Sequence, residues 1–288
     1  MISRDVKRLK KRLRDFLPDL PEKDRSEISN SYDIIGEIAI IHQSRLAEEY
    51  GSNVAEAIMK IHPNVRSVFA QNGAVQGNFR LRMLKQLSGE KRTFTVHKES
   101  GCAFQVDVEK CYFSPRLLNE RMRIARLVQD GEIVVNMFAG VGCFSIIIAR
   151  HSNPVKVYSI DINPEAVRYM KENVRINGCF GKVIPIFGDA RRVIEENLQG
   201  LADRVIMPLP EKALEYLPAA LSALRDRRGW IHYQGFTHAR KEDSVEKTKQ
   251  RVYEKLKEID TDFDIPFGRV VRTTGPNWYQ IALDIRTT

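Results

Sequence analysis

Cysteine is scarce in this chain of 288 residues, and the four present (Cys102, Cys111, Cys143 and Cys179) make no C-x-x-C pair. That scatter argues against a disulfide framework and against a bound metal, and it leaves small buried thiols in a reducing compartment. Long apolar runs are also missing. No stretch approaches the length of a membrane-spanning helix, and the basic N-terminus lacks the apolar core and cleavage site of a secretory signal. A cytoplasmic protein without a membrane partner is therefore expected. Repeats and low-complexity tracts are absent too, while 43% hydrophobic and 29% charged residues suit a folded chain long enough for two modest domains.

What is abundant is positive charge, +9 in all, gathered in blocks. Residues 1–14 carry seven cations (Arg4, Lys7, Arg8, Lys10, Lys11, Arg12, Arg14) against Asp5. Residues 66–98 carry another seven (Arg66, Arg80, Arg82, Lys85, Lys91, Arg92, Lys98) against Glu90, whereas residues 15–65 hold ten acids to four bases. Clustering of this kind is the footprint of a polyanionic partner, although either block could also be a solvated face.

Periodicity divides the chain. A basic helix over 3–16 ends at Pro18 and Pro21. Residues 31–42 read as two strands around a turn, 43–61 as a helix, and 65–71, 92–98 and 103–108 as further strands, the last two a hairpin turned at Ser100-Gly101. From about 115 the pattern alternates. Helices are expected at 116–128, 142–151, 164–176, 190–198, 211–224 and 242–258. Strands are expected at 133–137, 155–160, 182–186, 203–207 and 229–234, with a closing pair near 267–273 and 278–285. Such alternation predicts an α/β fold: a mostly parallel sheet with helices on both faces and an antiparallel edge, preceded by a small α+β unit.

The first strand of the alternating part runs into Phe138-Ala139-Gly140-Val141-Gly142 and a helix. Glycine allows the tight turn and the close backbone approach to a ligand, and the helix start offers free N–H groups. Alone this turn would fit NAD, a nucleotide or plain packing. The next strand ends in Asp161, placed to accept bonds from ribose hydroxyls, and the third in Asp189, placed for an adenine amine. No Lys-Ser/Thr follows the glycines and no third glycine has the dinucleotide spacing, so the pattern favours S-adenosylmethionine over ATP and NAD.

Several segments together resemble one family. They are Ser31-Tyr32-Asp33-Ile34-Ile35-Gly36, His97-Lys98-Glu99-Ser100-Gly101, the run from Cys111 through Ser114-Pro115-Arg116 to Glu120-Arg121, the glycine turn, and Asp161-Ile162-Asn163-Pro164. The family is the archaeal and eukaryotic tRNA (guanine-37-N1)-methyltransferases, with the related aminocarboxypropyl transferases of wybutosine synthesis. The resemblance implies a Rossmann-like class I methyltransferase domain over 113–288, a small RNA-facing domain over 25–112 and a basic leader over 1–24. It further implies a monomer that uses S-adenosylmethionine, bound by Phe138, Ala139, Gly140, Gly142, Asp161 and Asp189, and acts on the anticodon region of tRNA. The additional N-terminal domain that many such methyltransferases carry is expected to be absent, with the leader supplying part of its RNA contact.

Guanine N1 carries a proton at neutral pH, so its methylation calls for a base near N1 and a cation near O6. By resemblance Glu120 is the base and Arg80 the cation, with Arg116, Pro208, Leu209 and Pro210 at the substrate. From the residues alone, Glu120 could equally pair with Arg116 or Arg123 on a helix surface, and Arg80 could contact phosphate. Two positions depart from the family. Asn136 stands where an acid is frequent, and Pro208 stands where an asparagine amide touches the target base; proline has neither amide nor N–H. His232 and Tyr233 are candidates for holding the base or for core packing, and Trp278 and Tyr279 for edge-strand packing. Methyl transfer is the leading expectation. Aminocarboxypropyl transfer and a non-catalytic RNA-binding homologue are the alternatives.

Overall fold

The computed structural model describes residues 13–27, 31–42, 49–73 and 75–288. The chain forms two compact units, Met1–His97 with Asp107–Glu109, and Lys98–Val106 with Lys110–Thr288.

The N-terminal unit is built on a four-stranded sheet in the order β1 (Tyr32–Ile35), β2 (Ile38–His42), β3 (Ser67–Gln71), β4 (Leu84–Gly89). β1 and β2 form the expected pair, joined through Gly36 at φ +57°, where a Cβ would strike Thr95 Oγ1 and the Val96 carbonyl. β2 and β3 run parallel, which requires a crossover, and the helix Gly51–Ile61 supplies it. Its Val54, Ala55, Ala57 and Ile58 are buried with Leu13, Leu17 and Leu20 of the preceding segment. The first turns of the helix expected at 43–61 fall on residues 43–48, outside the described residues. So does most of the expected basic helix, of which only a 3-10 turn, Leu13–Phe16, is described. A short helix Glu22–Glu27 and strand β4 were not expected. β4 (LKQLSG) lacks β-branched and aromatic residues, and pairing with β3 creates it instead of propensity.

The chain passes into the second unit along the hairpin β5 (Phe94–Glu99) and β6 (Cys102–Asp107), whose turn residues Ser100 and Gly101 have φ of 49° and 71°. A seven-stranded sheet follows, ordered β12-β13-β11-β10-β7-β8-β9. The strands are β7 (Ile133–Asn136), β8 (Lys156–Asp161), β9 (Val183–Phe187), β10 (Arg204–Met207), β11 (Gly229–His238), β12 (Phe263–Gly275) and β13 (Trp278–Thr287). β7 to β11 are parallel, and β13 lies antiparallel between β11 and β12. The intervening helices are Leu118–Leu127, Cys143–His151, Pro164–Ile176, Ala190–Val193 continued by a π-helical turn Ile194–Leu198, Ala213–Ala223 and Ser244–Glu258. Fully buried Val135, Ile160, Val205, Ile231, Ile281 and Leu283 make the sheet's share of the core.

Chain order reverses between β7 and β10, which opens a crevice at their carboxyl ends, the usual ligand position in such sheets. One expectation is corrected here. The closing pair does add an antiparallel edge, but β13 is interior and β12 is the edge strand. Tyr279 is accordingly buried in the core, while Trp278 packs on the His238 ring with centroids 5.1 Å apart.

Candidate cofactor and transfer site

The glycine turn closes the crevice of the second unit. Gly140 N–H donates to Asp161 Oδ2 at 2.6 Å, and Asn163 N–H donates to Asp161 Oδ1 at 2.9 Å. The acid at the end of β8 is thus fixed against the turn at the end of β7. Burial raises the Asp161 carboxyl above its ordinary value, against the backbone N–H groups of Asn163, Gly140 and Ile162.

The two glycines have different duties. Gly142 caps the helix Cys143–His151 at φ +94°, and its Cβ would lie 2.9 Å from Met170 Cγ, so it serves packing. Gly140, at φ +56°, would place a Cβ no nearer than 3.8 Å to the Tyr112 carbonyl, leaving space beside the backbone. Phe138 is half-buried and Ala139 buried, its N–H bound to the Ile160 carbonyl at 2.8 Å. Asn136, where an acid is frequent in the family, is wholly buried. It donates to Ser145 Oγ at 3.0 Å and accepts from Phe138 N–H at 3.4 Å, so it braces the turn.

Asp189 caps the next helix, accepting from Arg191 and Arg192 N–H, and its Oδ2 accepts from Tyr216 Oη at 2.6 Å. Burial works against its charge, yet the Tyr216 bond and the two backbone bonds hold it below the ordinary carboxylate value. Tyr216, whose own hydroxyl is pushed up to about 12 by burial and by Asp189, meets the Phe138 ring edge-on at 5.1 Å. Sequence reasoning missed Tyr216. It reads as one apolar position of the helix Ala213–Ala223, and only the fold brings it to Asp189.

Glu120 is 1% exposed on the first turn of the helix Leu118–Leu127. Arg123, one turn on, donates to it at 2.8 Å, and Arg269 of β12 donates at 2.5 Å. Arg123 also holds Asp284 of β13 with two bonds of 2.6 and 2.9 Å. Beyond Asp284 lies His232, for which holding the base and core packing were both open; it is buried, with Nδ1 2.6 Å from Asp284 and Nε2 2.6 Å from Arg204. Tyr233 is buried as well, its hydroxyl pushed up to about 12 by that burial. The i,i+3 spacing of Glu120 and Arg123 was legible; Arg269 and Asp284, roughly half the chain away, gave no signal.

Segment 111–117 ties these parts together. Ser114 O accepts from Arg121, which is ion-paired with buried Glu99 at 2.6 Å, and Arg272 of β12 donates to Ser114 Oγ at 3.1 Å and Tyr112 Oη at 3.3 Å. Arg116 is exposed on the 3-10 turn Pro115–Leu117. After β10, Pro208 and Leu209 are half-buried and Pro210 buried.

Arg80 belongs to the N-terminal unit, half-buried on a tight turn at φ +55°, its N–H bound to the Gly77 carbonyl at 3.1 Å. Three cations of the second basic block are engaged within that unit. Arg66 and Arg92 pair with Glu37 and Glu90, and Arg82 pairs with buried Asp33 at 3.4 Å. Among the described residues no helix is long and apolar enough to cross a membrane, and no group of three or more His, Cys, Asp or Glu could hold a metal. All four cysteines are buried.

Comparison with known proteins agrees with this architecture. A family model described as the TRM5/TYW2 methyltransferase domain matches residues 95–264, and one described as the TYW2 N-terminal domain matches residues 13–93. The chain is 38% identical to the tRNA (guanine(37)-N(1))-methyltransferase Trm5b of Pyrococcus abyssi over 94% of its own length and 78% of the relative's. It is 37% identical to the tRNA(Phe) (4-demethylwyosine(37)-C(7)) aminocarboxypropyltransferase of Methanocaldococcus jannaschii, over 70% of its length and 76% of that protein's. Among solved structures, aTrm5 in complex with tRNALeu superposes with a TM-score of 0.79 at 37% identity, covering 93% of this chain and 74% of that one. The TYW2 of M. jannaschii in complex with AdoMet superposes at 0.64 and 28% identity, covering 90% and 100%.

Proposed function

The chain belongs to the TRM5/TYW2 methyltransferase family, and from that premise we propose that it transfers the methyl group of S-adenosylmethionine to N1 of guanine 37 in tRNA. Asp161 would accept from the ribose hydroxyls, Asp189 from the adenine amine, and the open side of Gly140 would take the methionine part, with Phe138 and Ala139 lining the turn. The residues present fit that cofactor: a polar acid at the end of each of two neighbouring strands, and a backbone face left clear of side chains. When bound, the cofactor supplies an electrophilic methyl on a good leaving group. The protein's own task is then to align N1 with that methyl and to remove its proton.

The observation that carries the reading is Glu120, a carboxylate kept out of water and fixed by guanidinium groups on two elements. Glu120 accepts the N1 proton, Arg80 offsets the charge developing on O6, and Arg116 with the Pro208-Leu209-Pro210 segment contacts the nucleotide. The domains follow the same reading: a basic leader over 1–24, an RNA-facing domain over 25–112 and a catalytic domain over 113–288, working as a monomer. Replacing the base, Glu120→Gln, is expected to slow single-turnover methyl transfer by about 100-fold or more, the usual share of general base catalysis. S-adenosylmethionine affinity should be unchanged. A variant that transfers methyl at the parent rate would remove Glu120 from the chemistry.

Two observations favour a second reading, aminocarboxypropyl transfer: the N-terminal match is to a TYW2 domain, and Pro208 offers no donor to a guanine edge. The two reactions leave different carbons of the cofactor on the RNA.

A further inference from the structure

Glu120 holds more guanidinium than a working base can keep. A carboxylate offers about four lone-pair positions. Here Oε1 accepts from Arg123 Nη2 at 2.8 Å, Oε2 accepts from Arg269 Nη2 at 2.5 Å and Nε at 3.1 Å, and Arg123 Nε lies 3.2 and 3.1 Å from the two oxygens. To receive a proton from an RNA base, the carboxylate must first give up one of these partners.

The two arginines are not equally free to leave. Arg123 is anchored behind Glu120 by Asp284 and lies over the Phe267 ring at 4.5 Å. Asp284 is anchored in turn. Arginine only donates, so Arg204 Nη1 fixes His232 Nε2 as an acceptor, and Nδ1–H must donate to Asp284. Arg204 is itself gripped by Glu132 at 2.7 and 2.8 Å. The row Glu132–Arg204–His232–Asp284–Arg123 is thus a strut with a buried centre, Arg204, His232 and Asp284, and with its proton positions set. Arg269 has no such backing. Among the described residues it donates to Glu120 alone, its side chain is 36% exposed, and it sits on the edge strand β12 between two register irregularities.

We propose that Arg269 is an exchangeable counter-ion: it covers Glu120 in the free enzyme and moves to an anionic group of the docked RNA, uncovering Oε2 for the proton. This rests on the reading of Glu120 as base and of tRNA as substrate. Part of the RNA-binding free energy is then spent on breaking the Arg269–Glu120 pair, so a neutral residue at 120 should release the arginine in advance and tighten RNA binding.

The test is a double-mutant cycle on tRNA affinity, measured by fluorescence with S-adenosylhomocysteine present, for the parent, Glu120→Gln, Arg269→Ala and the double variant. Glu120→Gln is expected to bind tRNA about tenfold tighter, the scale of one hydrogen bond to a charged group. With Arg269→Ala in place the same change should gain no more than about twofold, which is the general relief of repulsion. Arg269→Lys, which keeps the charge, should restore most of the gain and guards against a folding defect in the alanine variant. Equal gains in both backgrounds, or none, would overturn the exchange. Single-turnover rates on the same proteins keep the underlying reading separate: a parent-like rate in Glu120→Gln sinks the base, whereas a slow rate without coupling sinks only the exchange.

Discussion

At the scale of single residues, the glycine turn yields the sharpest contrast. Gly140→Ala makes only an ordinary contact with the Tyr112 carbonyl at 3.8 Å and should cost only about 1 kcal/mol of stability for its positive φ, while weakening S-adenosylmethionine binding strongly. Gly142→Ala forces a Cβ to 2.9 Å from Met170 and should cost about 1–3 kcal/mol more. Thermal melts and cofactor titration on the two variants check this, and a reversal would contradict the assignment of Gly140 to the ligand and Gly142 to packing. Asp161→Asn, without its charge-assisted bonds, should weaken cofactor affinity by about 10- to 100-fold. Much at this scale was legible in the sequence. The turn, Asp161 and Asp189 follow from glycine and acid at fixed offsets after strands. Glu120 came from resemblance; its partner Arg123 was legible one turn on in the same helix, whereas its second guanidinium, Arg269, lies on β12 and gave no local signal.

Elements are joined by the same charged residues. The row from Glu132 to Arg123 crosses β10, β11 and β13 and ends on the helix Leu118–Leu127, so its protonation is a property of the assembled sheet. Burial holds the His232 imidazole below the ordinary histidine value, Asp284 pulling the other way. The unfolded chain therefore binds a proton near pH 6.5 that the folded chain refuses, and stability should fall as pH drops below about 6.5, by up to ~1.4 kcal/mol per unit. Asp284, held below the ordinary carboxylate range despite its burial by bonds to His232 and Arg123, keeps its contribution throughout that window. Denaturant titrations at pH 7.5 and 5.5 should find this loss in the parent and a smaller one in His232→Asn. An equal loss in both would contradict a neutral buried imidazole. Periodicity placed the helices and parallel strands closely, since burial on both faces leaves continuous apolar runs. It missed β4, whose half-exposed residues carry no β signal, and it took β13 for the sheet edge that β12 forms, because strand order is not written in local pattern.

For the whole molecule, charge and register of the leader decide what can be removed. Leu13 is 1% exposed in the N-terminal core, so a deletion that spares the fold must stop at residue 12. Removing residues 1–12 takes six cations, Arg4, Lys7, Arg8, Lys10, Lys11 and Arg12. If they neutralise RNA phosphates, the slope of log affinity against log salt should become shallower by about 0.7–0.9 for each phosphate left without its cation, with the melting temperature unchanged. An unaltered slope would free the leader of that role. Above all of these stands methyl transfer to guanine 37. Its decisive test incubates the protein with unmodified tRNA and S-adenosylmethionine labelled separately in the methyl and aminocarboxypropyl carbons, followed by nucleoside mass spectrometry. The expected result is methyl label in 1-methylguanosine at position 37 and no carbon-chain label. Carbon-chain label on tRNA bearing the tricyclic guanine precursor, with no methyl label on the unmodified tRNA, would contradict it.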